Sequence, residues 1–208
     1  MIGCTITTVA HGEKMSTILT KFIVCSLPRT GTKSVVQMMK QLGFGTNHAP
    51  GPTYEAFMTS RHDVEVMADT PLYQPSVVQS IVDRSDETKF IYIDKTARAW
   101  VDSMVKVNLI QGYLSSVNLV NGGTASPHNQ TDYDAMHEVL ESDEFNEKDA
   151  IAAFVRHKAK IESIVPDGRL LVYNFSQGWG PLCKFVGKEV PEGRIPHLNK
   201  DTMFDPVN

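Results

Sequence analysis

The order of elements along the chain predicts an α/β fold in which helices cover both faces of a mainly parallel sheet. Short apolar, β-branched runs typical of buried strands recur along the sequence, and segments with helical spacing of apolar residues separate them. The length of 208 residues suits one domain with its own hydrophobic core. We therefore expect a single α/β domain over residues 20–208, preceded by a loosely ordered leader at 1–19.

Four runs are typical of strands: 20–25, 64–68, 89–94 and 170–173. The spacing of apolar residues predicts five helices: 32–42, 75–82, 97–107, 150–164 and 181–186. Residues 46–62 contain two prolines and are predicted as a loop with one helical turn near 55–58, and the Gly-, Ser- and Asn-rich segment 111–131 as a mobile loop. The helix over 150–164 carries Arg156, Lys158 and Lys160, which we expect to form an exposed basic patch.

Composition excludes several classes of function. The formal net charge of −4 argues against a nucleic-acid-binding surface, and no run of 18 apolar residues predicts a membrane-spanning helix. The three cysteines, Cys4, Cys25 and Cys183, are scattered without a CxxC motif, which argues against a disulfide framework or zinc site and fits a reducing cytoplasm. No cluster of metal-ligand residues stands out in the sequence.

The segment 26–34 joins the first strand to the first helix and has the character of an anion-binding loop. Backbone N–H groups converge at such a junction, and the helix dipole adds partial positive charge there. A glycine lets the backbone approach an anion closely, and hydroxyl donors and cations surround it: Thr30, Gly31, Thr32, Ser34, Arg29 and Lys33. The Walker A pattern GxxxxGK[ST] fails, because Thr32 separates Gly31 from Lys33 and Ser26 stands where the first glycine belongs.

The string Leu-Pro-Arg-Thr-Gly-Thr-Lys-Ser at 27–34, followed by a helix ending Gln-Leu-Gly-Phe at 41–44, resembles the 5′-phosphosulfate loop of sulfotransferases. It is most similar to the small P-loop-containing sulfotransferase-like proteins. The resemblance implies a P-loop NTPase-like three-layer sandwich of the sulfotransferase type, with Pro28 through Ser34 binding 3′-phosphoadenylyl sulfate (PAPS). Many sulfotransferases have Lys at the position of Arg29, which keeps the charge but changes reach and geometry.

Later blocks extend the resemblance. Lys95 follows a strand and Ser103 lies eight positions on, which resembles the family's pair of 3′-phosphate contacts, although the usual basic residue is Arg. The blocks 170–173, 178–187 and 196–199 resemble the family's late strand, its Gly-Trp-x-Pro-Leu-Cys-x-Phe motif and its closing Pro-His-x-Asn. Tyr173 would then stand near the adenine, and Lys200 near the 3′-phosphate.

The resemblance implies transfer of a sulfuryl group from PAPS to a hydroxyl or amine of a small-molecule or glycan acceptor, with release of 3′,5′-adenosine diphosphate and no required metal. Arg29 would neutralise charge on the transferring group. The variable insertion at about 108–150 would form the acceptor side, and a homodimer is left open. A hydroxyl acceptor needs a general base, for which Asp69 is the first candidate, with His48 and His62 as alternatives.

Two other readings of the sequence stay open. One is a P-loop kinase or other nucleotide-phosphate enzyme that uses ATP and magnesium, with Lys33 as a displaced Walker lysine and Asp94 organising the metal. The other is a protein that binds a nucleotide without turnover. Magnesium-dependent ATP binding would favour the first, and donor binding without transfer would favour the second.

Overall fold

Five parallel strands form one sheet, in the order β2-β3-β1-β4-β5, within the residues that the computed structural model describes, 20–48, 64–106, 146–196 and 198. The strands are β1 (Phe22–Val24), β2 (Thr46–His48), β3 (Val66–Ala68), β4 (Lys89–Ile93) and β5 (Leu170–Tyr173). The helices are α1 (Thr32–Gln41), α2 (Pro75–Arg84), α3 (Ala97–Lys106), α4 (Glu147–Ile164) and α5 (Trp179–Val186). No helix in the described part of the chain is both long and apolar enough to cross a membrane.

Buried side chains alternate between the two faces of the sheet, as the period of two along a strand requires. Phe22 and Val24 of β1 pack on the face covered by α1 and α5, whereas Ile23 packs with residues of α2 and α4 on the other face. A third cluster, around Trp100, joins α3 to α4 and to the loop after β1. The layers are therefore helix, sheet and helix, and the predicted α/β fold with a parallel sheet is confirmed.

A buried hydrogen-bond network ties α4 to the sheet. His157 Nε2 lies 2.7 Å from Tyr73 O, and its Nδ1 lies 3.2 Å from the Tyr92 hydroxyl. Since a carbonyl oxygen only accepts, Nε2 carries the proton and Nδ1 accepts from Tyr92. Burial lowers the pKa of His157 to about 4, so the ring is neutral near pH 7.

The structure differs from the sequence predictions at one strand and at one basic residue. Residues 46–48, predicted as loop, form β2, which pairs in parallel with β3 at the edge of the described sheet. An exposed basic patch was predicted on α4, but one of its members, Lys158, is half-buried and donates to Asp94 Oδ1 at 2.7 Å. The leader 1–19, the helical turn near 55–58 and the loop 111–131 lie outside the described residues.

The connections after the strands bring the polar residues of the predicted site to one edge. In a parallel sheet the carboxyl ends of all strands share an edge, and ligands bind there where the strand order reverses. Here β1 lies between β3 and β4, so the loop at 25–31 opens at that reversal. His48 ends β2, Asp69 follows β3 and Lys95 follows β4 by two residues, which places all three at the same edge.

Candidate functional site: an anion loop beside a histidine–aspartate pair

The amino end of α1 is open. Gly31 is its N-cap, with φ +114°, and no side chain of the described residues caps the helix. The first hydrogen bonds run from the Ser34 and Val35 N–H groups to Gly31 O, at 3.0 and 3.2 Å. The N–H groups of Thr32 and Lys33 find no backbone acceptor among the described residues. These free donors and the positive end of the helix dipole form a site suited to a phosphate or sulfate.

The carbonyl groups of the loop are occupied by side-chain donors. Trp100 Nε1 donates to Pro28 O and Lys95 Nζ to Arg29 O, each at 2.9 Å. The Thr30 hydroxyl donates at 2.7 Å to the carbonyl three residues earlier. Thr30 therefore holds the loop through its hydroxyl, rather than presenting that hydroxyl to a ligand as the sequence predicted. Because carbonyl oxygens would repel an anion, these bonds leave the N–H side of the loop for the ligand.

Arg29 is held in a strained conformation with an unsatisfied donor. Its φ is +65°, and its Nε is buried without a hydrogen-bond partner among the described residues. Each feature costs on the order of 1–3 kcal/mol unless a ligand or packing compensates it. Burial first, and then the charge of Arg29, lower the pKa of Lys95. Two neighbouring cations with an unsatisfied donor are the electrostatic complement of an anion.

Phe175, in the 3₁₀ turn Phe175–Gln177 after β5, packs against the loop. A Cβ atom added at Gly31 would lie 2.7 Å from Phe175 Cε2 and 3.0 Å from Cζ. Both this contact and the positive φ thus require glycine at position 31. The sequence analysis did not identify Phe175, since a single Phe after a strand gives no signal of this contact.

A second group, made of Thr32, His48 and Asp69, lies beside the loop. His48 Nε2 is 3.1 Å from Thr32 Oγ1, and its Nδ1 is 3.4 Å from Asp69 Oδ2. The carboxylate favours the tautomer with the proton on Nδ1, which leaves a lone pair on Nε2. Thr32 is then the donor in its bond with His48. Two candidates that the sequence offered as alternatives, His48 and Asp69, therefore form one unit.

The electrostatics of this unit favour a neutral imidazole. Burial lowers the pKa of His48, the Asp69 carboxylate opposes that shift, and Lys33 adds to it. Asp69 is fixed in turn, because its Oδ1 accepts from the Thr70 N–H at 3.0 Å and its carbonyl from the Leu72 N–H at 2.7 Å. A neutral, oriented histidine whose Nε2 carries a lone pair is a candidate proton acceptor near pH 7 once its bond with Thr32 is released.

Three other residues predicted to contact the ligand, Tyr173, Ser34 and Lys33, differ in their exposure. Tyr173 is fully buried, with 0% exposure, and its hydroxyl donates to Gly178 O at 3.0 Å. Burial raises the pKa of Tyr173 to about 12. The ring of Tyr173 packs in the core in this structure, and the adenine contact implied for it stays a prediction. Ser34 is buried and its Oγ accepts from the Leu198 N–H at 3.1 Å, whereas Lys33 is exposed.

Ser103 and Lys200 are the remaining predicted contacts. Ser103 is half-buried on α3, eight positions after Lys95 in the sequence. Lys95 precedes this helix, in the connection after β4, and its ammonium bonds the loop at Arg29 O. Lys200 and the alternative base His62 lie outside the described residues.

Asp94 links the site to α4 and to the turn after β5. Its carboxylate accepts from Lys158 at 2.7 Å, and its carbonyl accepts from Asn174 Nδ2 at 3.0 Å. Asp94 therefore takes part in a partly exposed ion pair with Lys158. Among the described residues, no three His, Cys, Asp or Glu side chains are grouped in a way that could hold a metal ion.

Comparison with known proteins bears on the family. The model of the sulfotransferase domain family matches residues 52–204, a span that begins after the anion loop. A protein of Aspergillus versicolor named Ava biosynthesis cluster protein M is 26% identical over 220 residues, covering 86% of this chain and 80% of that protein. The crystal structure of a sulfotransferase from Alicyclobacillus acidocaldarius aligns with a TM-score of 0.47 at 14% identity, over 90% of this chain and 87% of the other. A structural likeness of this size carries no weight for fold or function.

The family match covers well over half of the chain and takes in Asp69, Lys95 and the strands β3, β4 and β5. The residues that precede the match supply the anion loop, which the parallel sheet joins to the matched part through the pairing of β1 with β3 and β4. The protein therefore belongs to the sulfotransferase domain family.

Proposed function

We propose that this protein transfers a sulfuryl group from PAPS to a hydroxyl or amine acceptor and releases 3′,5′-adenosine diphosphate. The observation that carries the proposal is the anion loop itself. Among the described residues, its helix end has no side-chain cap, two of its N–H groups have no backbone acceptor, and the Nε of Arg29 has no partner. Membership of the sulfotransferase domain family makes a sulfate-bearing nucleotide the natural ligand for such a loop.

The residues present fit such a donor. The Thr32 and Lys33 N–H groups would hold the 5′-phosphate at the positive end of α1. Lys95, whose ammonium already lies against the loop, would meet a second anionic group as a point charge. When bound, PAPS supplies an activated sulfuryl group whose transfer places negative charge on the departing phosphate.

Arg29 is the residue that we assign to this developing charge. A guanidinium group offers five N–H donors in a planar fork, and burial of its Nε strengthens any charge-assisted bond that it makes. An interaction that is stronger in the transition state than in the ground state lowers the barrier. Arg29 thus contributes mainly to turnover, and the backbone N–H groups mainly to binding.

His48 is the base that we assign to an acceptor hydroxyl, with Asp69 orienting it. The sequence favoured Asp69 as the base, but the 3.4 Å separation from His48 Nδ1 makes Asp69 better suited to fixing the imidazole. His48 Nε2 lies 3.1 Å from Oγ1 of Thr32, the first residue of α1, and this contact with the loop supports the assignment. Proton transfer by a positioned base of this kind contributes about 10²–10⁴ in rate.

The magnesium-dependent alternative is less well supported by the same contacts. A kinase of this fold would need Asp94 to organise the metal, and Lys158 already holds that carboxylate at 2.7 Å. A nucleotide-binding protein without turnover would not need the pairing of His48 with Asp69. We therefore favour transfer.

The test is single-turnover transfer from labelled PAPS to a panel of hydroxyl and amine acceptors, read as labelled product and as 3′,5′-adenosine diphosphate. His48→Gln serves as the matched variant, because it keeps a polar side chain at the site and removes the base. We expect transfer in the wild type and a loss on the order of 10²-fold or more in His48→Gln. Donor binding without transfer to any acceptor would contradict the proposal.

A further inference from the structure

Thr32 belongs to both halves of the site. It is the first residue of α1, where its N–H group has no backbone acceptor among the described residues, and its Oγ1 lies 3.1 Å from His48 Nε2. It is also buried, with 5% exposure, so its hydroxyl has few other partners within reach. This side chain is the direct connection between the anion loop and the candidate base.

A hydroxyl carries one proton, and the geometry fixes where that proton lies. Because Asp69 favours the proton on Nδ1 of His48, Nε2 accepts and the Thr32 hydroxyl donates. While this bond is made, the lone pair that would accept a proton from substrate is occupied. The same hydroxyl proton cannot be given at once to an anion bound at the end of α1.

We propose that Thr32 is a positioning residue that frees His48 as a base only when an anion occupies the loop. This inference rests on the function proposed above. A phosphate oxygen is a charged acceptor, and hydrogen bonds to charged groups are about twice as strong as neutral ones. Donor binding therefore draws the hydroxyl proton from Nε2 to the phosphate, and the freed Nε2 can accept the proton of the acceptor.

The exchange has a spectroscopic consequence. The bond from Thr32 favours the neutral ring, so its loss raises the pKa of His48, and the charge of the bound phosphate raises it further. The other charged groups that act on the ring are Asp69, which follows β3, and Lys33 of α1, and both remain in every variant below. A valine at position 32 removes only the first contribution, whereas a serine keeps both.

The experiment is a titration of the imidazole signals by nuclear magnetic resonance, with and without 3′,5′-adenosine diphosphate, in the wild type, Thr32→Val and Thr32→Ser. His48→Gln assigns the His48 signal among those of the seven histidines. We expect the nucleotide to raise the pKa of His48 in the wild type and in Thr32→Ser. In Thr32→Val the nucleotide-induced shift should be smaller, since the hydrogen-bond contribution is gone and only the charge of the phosphate remains.

Calorimetry on the same samples separates this inference from the proposed function. Nucleotide binding with an equal shift in the wild type and Thr32→Val would overturn the role of Thr32 and leave the proposed function standing. Absence of nucleotide binding in the wild type would overturn both. A smaller shift in Thr32→Val that Thr32→Ser restores, with every sample saturated with nucleotide, supports the coupling.

Discussion

The conformation of the anion loop can be tested by replacing Gly31 with alanine. Gly31 has φ +114°, and an added Cβ would lie 2.7 Å from Cε2 of Phe175, closer than side-chain carbons approach in proteins. Gly31→Ala therefore adds both backbone strain and a steric clash. Gly43→Ala is the matched control, because Gly43 follows the C-cap of the same helix with φ +86° and no described atom lies within 4 Å of its added Cβ.

The magnitudes follow from these two contributions. The left-handed conformation costs an alanine about 1–2 kcal/mol, and a carbon forced into an occupied space costs about 1–3 kcal/mol. Phe175 is only half-buried and can yield in part, so we expect Gly31→Ala to lower the free energy of unfolding by about 2–4 kcal/mol. Gly43→Ala should cost about 1–2 kcal/mol. The loss of unfolded-state entropy on adding Cβ is common to both variants and cancels.

The assay is thermal and urea unfolding of both variants and of Gly31→Ala combined with Phe175→Ala. Each kcal/mol lowers the Tm by about 2–4 °C in a chain of this size. If the ring is the obstacle, the double variant should be more stable than the sum of the single effects indicates. Equal stability of Gly31→Ala and Gly43→Ala would refute the close approach of Phe175 to the loop.

Three further predictions concern charge and protonation. Arg29→Ala should lower the single-turnover rate on the order of 10²–10³-fold with little change in donor affinity, and Arg29→Lys should recover part of it. Lys95→Ala should weaken binding of 3′,5′-adenosine diphosphate far more than that of 5′-AMP in calorimetry. Equal losses of affinity for the two ligands would contradict a contact between Lys95 and the 3′-phosphate. Because the pKa of His157 is depressed to about 4 from 6.5, its contribution to stability is complete above pH 6.5 and lost as pH falls towards 4. The urea midpoint should therefore decrease less between pH 7.5 and pH 5 in His157→Gln than in the wild type.

Most of the fold could be predicted because the central strands are apolar and the helices amphipathic. β1 and β4 lie in the interior of the sheet and read as runs of Phe, Ile, Val and Tyr. β2 could not be predicted, since Thr46-Asn47-His48 has neither apolar alternation nor length, and only its pairing with β3 makes it a strand. Its side chains are half-buried at an edge, where packing places little demand on the sequence.

The sequence indicated candidate residues for the site, but not the contacts between them. The loop 26–34, Asp69 and His48 each stood out by residue type, whereas the contact between His48 and Asp69 depends on β2 lying next to β3. The burial of Tyr173 could not be predicted, because a tyrosine after a strand gives no sign of which way its ring packs. The bond from Trp100 to Pro28 spans 72 residues and follows only from the packing of α3.

The central claim is that the loop at the end of β1 binds the nucleotide of a sulfuryl donor. Calorimetric titration with 3′,5′-adenosine diphosphate, set beside ATP with magnesium, tests it most directly. We expect the first ligand to bind more tightly, without a metal requirement, and to lose affinity in Lys95→Ala. Magnesium-dependent binding of ATP together with no binding of 3′,5′-adenosine diphosphate would contradict the claim.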